Sequence, residues 1–214
     1  MAADWLGETA VVVGNGNSVL ALADVFRRIK ATGWKTLISN SGFEFFPDAD
    51  VLMCSDRNWL PLHPDLSAFK GKEIVVTRPE AVARVDLRMR AIRRDFLEHM
   101  GPNLFANPNV LAEGHNSTST NISQAVLRGA GRILLLGIDL APGKDGRRSA
   151  YNPAEDVPIR AEIRYERQVR HLTLQAESIK RFRPHVEVLN CSPRSGLLCY
   201  PYANIEDLLP CSKS

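Results

Sequence analysis

No stretch of this chain is apolar for long enough to cross a membrane. Its start, Met1-Ala2-Ala3-Asp4-Trp5, lacks the basic and apolar segments of a secretory leader. A soluble cytoplasmic protein with no membrane partner is the expectation. Excess charge of one sign is also missing. The 27 basic and 24 acidic side chains leave a formal +3, far from the basic footprint of a dedicated nucleic-acid binder. Cysteine is scarce: Cys54, Cys191, Cys199 and Cys211 are scattered without metal-ligand spacing, so no metal is expected. Cys54, after Val51-Leu52-Met53, reads as a small core residue. No Asp-x-Asp follows a strand; Asp48-Ala49-Asp50 precedes one. What is present is ordinary apolar content in 214 residues, enough for one globular domain with a real core.

Val11-Val12-Val13 is a β-branched run that breaks into Gly14-Asn15-Gly16-Asn17-Ser18. The glycines permit unusual backbone geometry and close approach of a ligand to the main chain. Ser18 is placed to cap a helix from near Val19 to Ala31, leaving its first amides to face an anion. Gly33 ends that helix. Further strands are expected at 35–40, 50–56, 73–77, 132–139 and 186–190, with helices over 121–128 and 159–182. Strands alternating with helices predict a Rossmann-like α/β fold, a mostly parallel sheet with helices on both faces, in a single domain over 1–214. The segment 141–158, rich in proline, glycine and mixed charges, reads as a lid loop.

In such a sheet ligands sit beyond the carboxyl ends of the strands. The segments there are polar: the Gly14 turn, Asn40-Ser41, Ser55 to Asn58, Asp139, and Asn190 to Ser195. A second polar segment, Gly114-His115-Asn116-Ser117-Thr118-Ser119-Thr120-Asn121, runs straight into a helix; Ser119 or Thr120 as its cap accounts for one or two hydroxyls, and the remaining groups read as a binding loop for a sugar, base or carboxylate. Arg84 to His99 reads as a basic helix carrying Arg84, Arg88, Arg90, Arg93 and Arg94, either a solvated face or a phosphate-binding one.

The Gly14-Asn15-Gly16-Asn17-Ser18 turn resembles the Gly-Asn-Gly-Pro-Ser motif of bacterial CMP-sialic-acid-dependent sialyltransferases. That motif is shared with 6-hydroxymethylpterin pyrophosphokinase-like proteins and with phage proteins of the same fold. The resemblance continues at His115-Asn116-Ser117-Thr118, at Leu135-Leu136-Gly137-Ile138-Asp139 and at Asn190-Cys191-Ser192-Pro193-Arg194-Ser195, in order from Val11 to Leu198. It implies that Gly14, Asn15, Gly16, Asn17, Ser18, Asn40, Asn116, Ser117, Thr118, Ser119, Gly137, Asp139, Tyr151 and Ser192 bind the nucleotide donor. Asp56 falls where the sialyltransferases have an asparagine. Those enzymes also carry a general-base histidine upstream of the last helix, whereas this chain has no histidine between Asn116 and Val169. The candidates for a base are therefore His171, His115 and Asp56.

The resemblance implies a metal-independent glycosyltransferase that uses a nucleotide-sugar donor as co-substrate, holds no tightly bound cofactor and glycosylates an acceptor hydroxyl. Likeness to the phage members extends the acceptor to a modified base in DNA, contacted by Arg88 and Arg93, in a host cytoplasm. A pyrophosphokinase-like enzyme using ATP and Mg²⁺, or a non-catalytic nucleotide or nucleic-acid binder, are the alternatives. The sugar, the acceptor and assembly into a homo-oligomer are left open.

Overall fold

The computed structural model describes residues 3–55, 59–63, 65–77, 86–143, 149–150 and 161–210. Seven strands make one sheet: β1 (Thr9–Val13), β2 (Lys35–Ser39), β3 (Val51–Cys54), β4 (Glu73–Val76), β5 (Met89–Ala91), β8 (Arg132–Leu136) and β9 (Glu187–Asn190). Their order is β5-β4-β3-β2-β1-β8-β9 and every neighbouring pair is parallel. Two further strands, β6 (Arg93–Phe96) and β7 (Val110–Glu113), pair with each other in a small parallel sheet.

Two apolar cores lie on the two faces, and the period-2 alternation of each strand divides its side chains between them. Ala10, Val12, Leu37, Met53, Val75, Ile133 and Leu135 join one core, together with side chains of α3 (Ser117–Leu127) and α4 (Ala161–Phe182). Val11, Val13, Ile38, Leu52, Cys54, Ile74, Val76, Leu134 and Leu136 join the other, with α1 (Ala23–Thr32) and Trp59 of α2 (Trp59–Leu62). Central strands buried on both sides need the near-continuous apolar runs seen here. The Rossmann-like expectation holds. Cys54 is buried as a core residue, as expected.

Several expectations are corrected. The chain after β1 begins as a 3-10 helix over Asn17–Ala21, with α1 proper starting at Ala23. Gly16 tethers that turn by donating to the Gly137 carbonyl at 2.9 Å. Gly33 does terminate α1, in the left-handed conformation at φ 76°. The expected basic helix is extended over residues 89–96, with only a 3-10 turn over Leu97–His99: β5 pairs with β4, Ile92 donates to Val76 at 2.9 Å, and β6 then leaves to pair with β7. Sheet pairing overrides the helical spacing of its apolar residues. Strand β7, short and fully buried, was not expected.

Arg88 therefore lies on no helical face. Its guanidinium pairs with Asp86 at 2.6 Å and donates to the Phe69 carbonyl at 2.7 Å and the Gly71 carbonyl at 3.2 Å. Arg93 is exposed at the start of β6. A helix presenting both to DNA does not form.

Candidate functional site

The strand order reverses between β1 and β8, because the chain builds outward from β1 in one direction and from β8 in the other. Such a switch point opens a crevice at the carboxyl ends of the two strands. Here it is flanked by Gly14–Ser18 on one side and Gly137–Asp139 on the other. The two loops are packed tightly. A Cβ on Gly14 would sit 2.5 Å from the Gly137 carbonyl oxygen, and one on Gly16 would sit 2.5 Å from the Asp139 carboxyl carbon. Gly137, at φ 66°, leaves 2.2 Å between a Cβ and Val19. The glycines thus admit the neighbouring loop, where a ligand was expected.

Ser18 was expected to cap a helix and leave amides for an anion. Instead Asp139 supplies a built-in anion: its carboxylate accepts from the Ser18 amide at 2.9 Å and from the Ser18 hydroxyl at 2.5 Å. The residue at the start of the 3-10 turn is Gly16, which has no side chain to cap it. Ser192 is likewise committed to the fold. It is buried, its hydroxyl accepts from the Ile138 amide at 2.9 Å, and its amide donates to Asn190 at 3.0 Å.

The less committed polar groups lie one strand over, around Ser39 at the end of β2. Asn15 donates to the Ser39 carbonyl at 3.3 Å, and Asn121 of α3 donates to the Ser39 hydroxyl at 2.8 Å. Asn40 follows directly, held at φ 48°. The Oδ1 atoms of Asn15, Asn40 and Asn121 are all buried and accept no hydrogen bond. A buried acceptor left unmet costs roughly 1–3 kcal/mol, so three around one residue form an acceptor set suited to N–H and O–H donors.

Beside them the α3 N-terminus opens. Its cap is Asn116, whose side chain accepts from the Ser119 amide at 2.8 Å, in place of Ser119 or Thr120. Ser119 instead takes the Gly114 amide on its hydroxyl at 2.6 Å. The amides of Ser117 and Thr118 fall in the first turn and have no intrahelical partner. The Ser117 hydroxyl lies 3.0 Å from that of Ser55, at the end of β3. Among the described residues, four other than glycine have positive φ: Asn40, His115, Leu140 and Arg194. They lie in the loops after β2, β7, β8 and β9, so the backbone strain among the described residues gathers at the carboxyl ends of strands.

The histidine candidates meet at the end of the small sheet. His171 of α4 is fully buried; its Nδ1 lies 3.0 Å from the Gly114 carbonyl and its Nε2 lies 2.9 Å from Glu98. That second contact is out of line, and Nε2 has no hydrogen-bond partner. His115 stacks on Phe96 with ring centres 4.4 Å apart and lies 5.2 Å from the His171 ring. Its Nε2 is 3.2 Å from Glu98 and 2.6 Å from Arg167. Burial first, and then the Arg167 guanidinium, hold its imidazole below the usual histidine range. Burial acts to raise Glu98, but a bond to its own amide and the two histidines outweigh it and hold the carboxyl low.

His171 therefore faces protein on both ring nitrogens, whereas His115 is only partly buried. Asp56, Tyr151 and most of the expected lid lie outside the described residues. The described end of that lid reaches the β1 turn, where the Ala150 amide donates to the Asn15 carbonyl at 2.9 Å. Asp50 lies at the amino end of β3, where its carboxylate accepts from the Thr36 amide and hydroxyl. The Asp48-Ala49-Asp50 triplet therefore stands on the edge opposite the crevice. Sequence reasoning did not single out Ser39 or Glu98, and it held Asn121 only as the last residue of the Gly114–Asn121 polar segment.

No family model and no curated protein matches the chain. Four chains of solved structures do. One is the MAf glycosyltransferase from Magnetospirillum magneticum AMB-1, with a TM-score of 0.59 and 14% sequence identity. The match covers 96% of this chain and 35% of that one, so this chain spans about a third of that protein's length. The likeness is one of fold.

Proposed function

We propose that this chain is a glycosyltransferase that binds a nucleotide-sugar donor at the carboxyl edge of its parallel sheet. The observation that carries this is the trio of buried, unmet amide oxygens on Asn15, Asn40 and Asn121 around Ser39. They offer acceptors to the hydroxyls of a ribose or the amino group of a base. The Ser117 and Thr118 amides, at a positively polarised helix terminus, lie beside them for the phosphate. Likeness of fold to a protein described as a glycosyltransferase supports the same reading.

In the transfer the acceptor hydroxyl passes its proton to water and its oxygen attacks the anomeric carbon. The bond from that carbon to the donor phosphate breaks, and the departing oxygen keeps the electron pair. Fixed amides at the α3 N-terminus then stabilise the released phosphate. No metal on the donor phosphates is needed for that role. A non-catalytic nucleotide binder is favoured by one observation, the sealing of His171 away from any substrate.

Thermal-shift titration with CMP, UDP, GDP and ATP, with and without Mg²⁺, tests the proposal. Stabilisation by CMP or a nucleoside diphosphate without Mg²⁺ is the expected result, about 2.7 kcal/mol at a hundred times Kd. Asn40→Ala should abolish it. Donor hydrolysis or transfer then separates enzyme from binder. Response to ATP with Mg²⁺ alone, or to polynucleotide alone, overturns the proposal.

A further inference from the structure

We propose that Glu98, His115 and His171 form a binding site for a divalent transition metal of the zinc class. One ligand atom from each lies within 4.8 Å of the others. Two imidazoles and a carboxylate are the mixed nitrogen and oxygen set that such ions select.

The hydrogen-bond chemistry of the two rings points to a cation. A carbonyl only accepts, so the 3.0 Å contact with Gly114 places the hydrogen of His171 on Nδ1. In the neutral ring the lone pair is then on Nε2. That atom is fully buried, has no hydrogen-bond partner and lies 2.9 Å from the Glu98 carboxylate. A guanidinium only donates, so the 2.6 Å contact with Arg167 makes His115 Nε2 an acceptor as well. It lies 3.2 Å from the same Glu98 oxygen. One ring nitrogen cannot accept from Arg167 and donate to Glu98 at once, so with Arg167 as its donor His115 leaves two nitrogen lone pairs facing one carboxylate oxygen. A metal ion resolves that conflict, and the bond from His171 to a backbone carbonyl is the support that metal-bound histidines use to fix their orientation.

Arg167 supplies part of the positive charge in its place, at 3.6 Å from Glu98. It is half-exposed on a long flexible stem and can swing out, so it and the metal compete for one position. Solvent reaches the cluster through Glu98 and His115, leaving water to complete the coordination. The ligands come from the ends of β6 and β7 and from α4, so the ion would staple the small sheet to the long helix. Gly114 makes that approach close: a Cβ there would sit 2.7 Å from the His171 Cβ.

Metal uptake is independent of the transferase reading and is measured without nucleotide. Protein dialysed against a chelator is titrated with Zn²⁺ and, separately, with Co²⁺ followed by its visible absorption. One ion per chain is expected, with a rise in melting temperature. Glu98→Gln and His115→Ala, both at partly exposed positions, should each weaken binding by at least about tenfold while circular dichroism stays unchanged. Arg167→Ala should tighten it several-fold by removing the competing cation. Absence of stoichiometric uptake by both the wild type and Arg167→Ala overturns the proposal. Uptake indifferent to both Glu98→Gln and His115→Ala overturns it equally.

Discussion

Glycine and aspartate at the switch point divide the work in a way their residue types alone do not reveal. Gly14 has a negative φ, so conformation does not require glycine there; the Gly137 carbonyl 2.5 Å from its missing Cβ does. Gly33 is the converse, at φ 76° with nothing within 4 Å of a Cβ. Two different costs follow. Gly14→Ala should lose about 1–3 kcal/mol by forcing the β1 and β8 loops apart, and with them the Asp139 clamp on Ser18. Gly33→Ala should lose about 1–2 kcal/mol through left-handed strain alone. Chemical denaturation measures both. Nucleotide stabilisation should fall in Gly14→Ala and persist in Gly33→Ala.

Among the elements, the β5 edge shows how pairing overrides local pattern. Arg88 looked like one charge of a solvated helix face, yet it is the pin that ties the start of β5 to the segment before β4. Asp86 orients it through a bidentate contact, and the Arg88 hydrogen bond holds the Asp86 carboxyl below the usual carboxylate range. A depressed carboxyl contributes stability above its unfolded value and loses it as pH falls through the folded one. Asp86→Asn should be less stable than the wild type by about 1 kcal/mol at pH 7. That gap should begin to shrink near pH 4, where the unfolded carboxyl takes up its proton, and close only once pH has fallen below the lowered folded value. Urea midpoints across pH 2–7 check this, and a gap that does not narrow as pH falls below 4 would contradict it.

At the scale of the whole molecule, one sheet separates two cores, and its central strands supply side chains to both. Trp5 reports on one core and Trp59 on the other. Because β1, β3 and β8 contribute alternate residues to each, neither core can melt while the other stays intact. Trp5→Phe and Trp59→Phe variants, followed by the fluorescence of the remaining tryptophans, should show coincident unfolding midpoints. Leu135→Ala, fully buried in the middle of the sheet, should lower both together by about 2–5 kcal/mol. Separate transitions would mean that the faces fold independently.

The architecture was legible because it rests on local signals. The β-branched runs, the Gly33 stop and the polar residues after each strand name a parallel sheet and its polar edge without tertiary information. Contacts across large sequence separations were not legible. Nothing near Ser39 says that Asn15 and Asn121 will meet it, and nothing local places Glu98 against His171. Those neighbours are set by sheet order and helix docking, which the chain decides only when its apolar faces are buried together. Hence the sequence by itself determined which edge of the fold is polar. Only the tertiary structure decided which polar groups on it spend their hydrogen bonds on the fold, as Ser18 and Ser192 do, and which, as the amide oxygens of Asn15, Asn40 and Asn121, are left unmet.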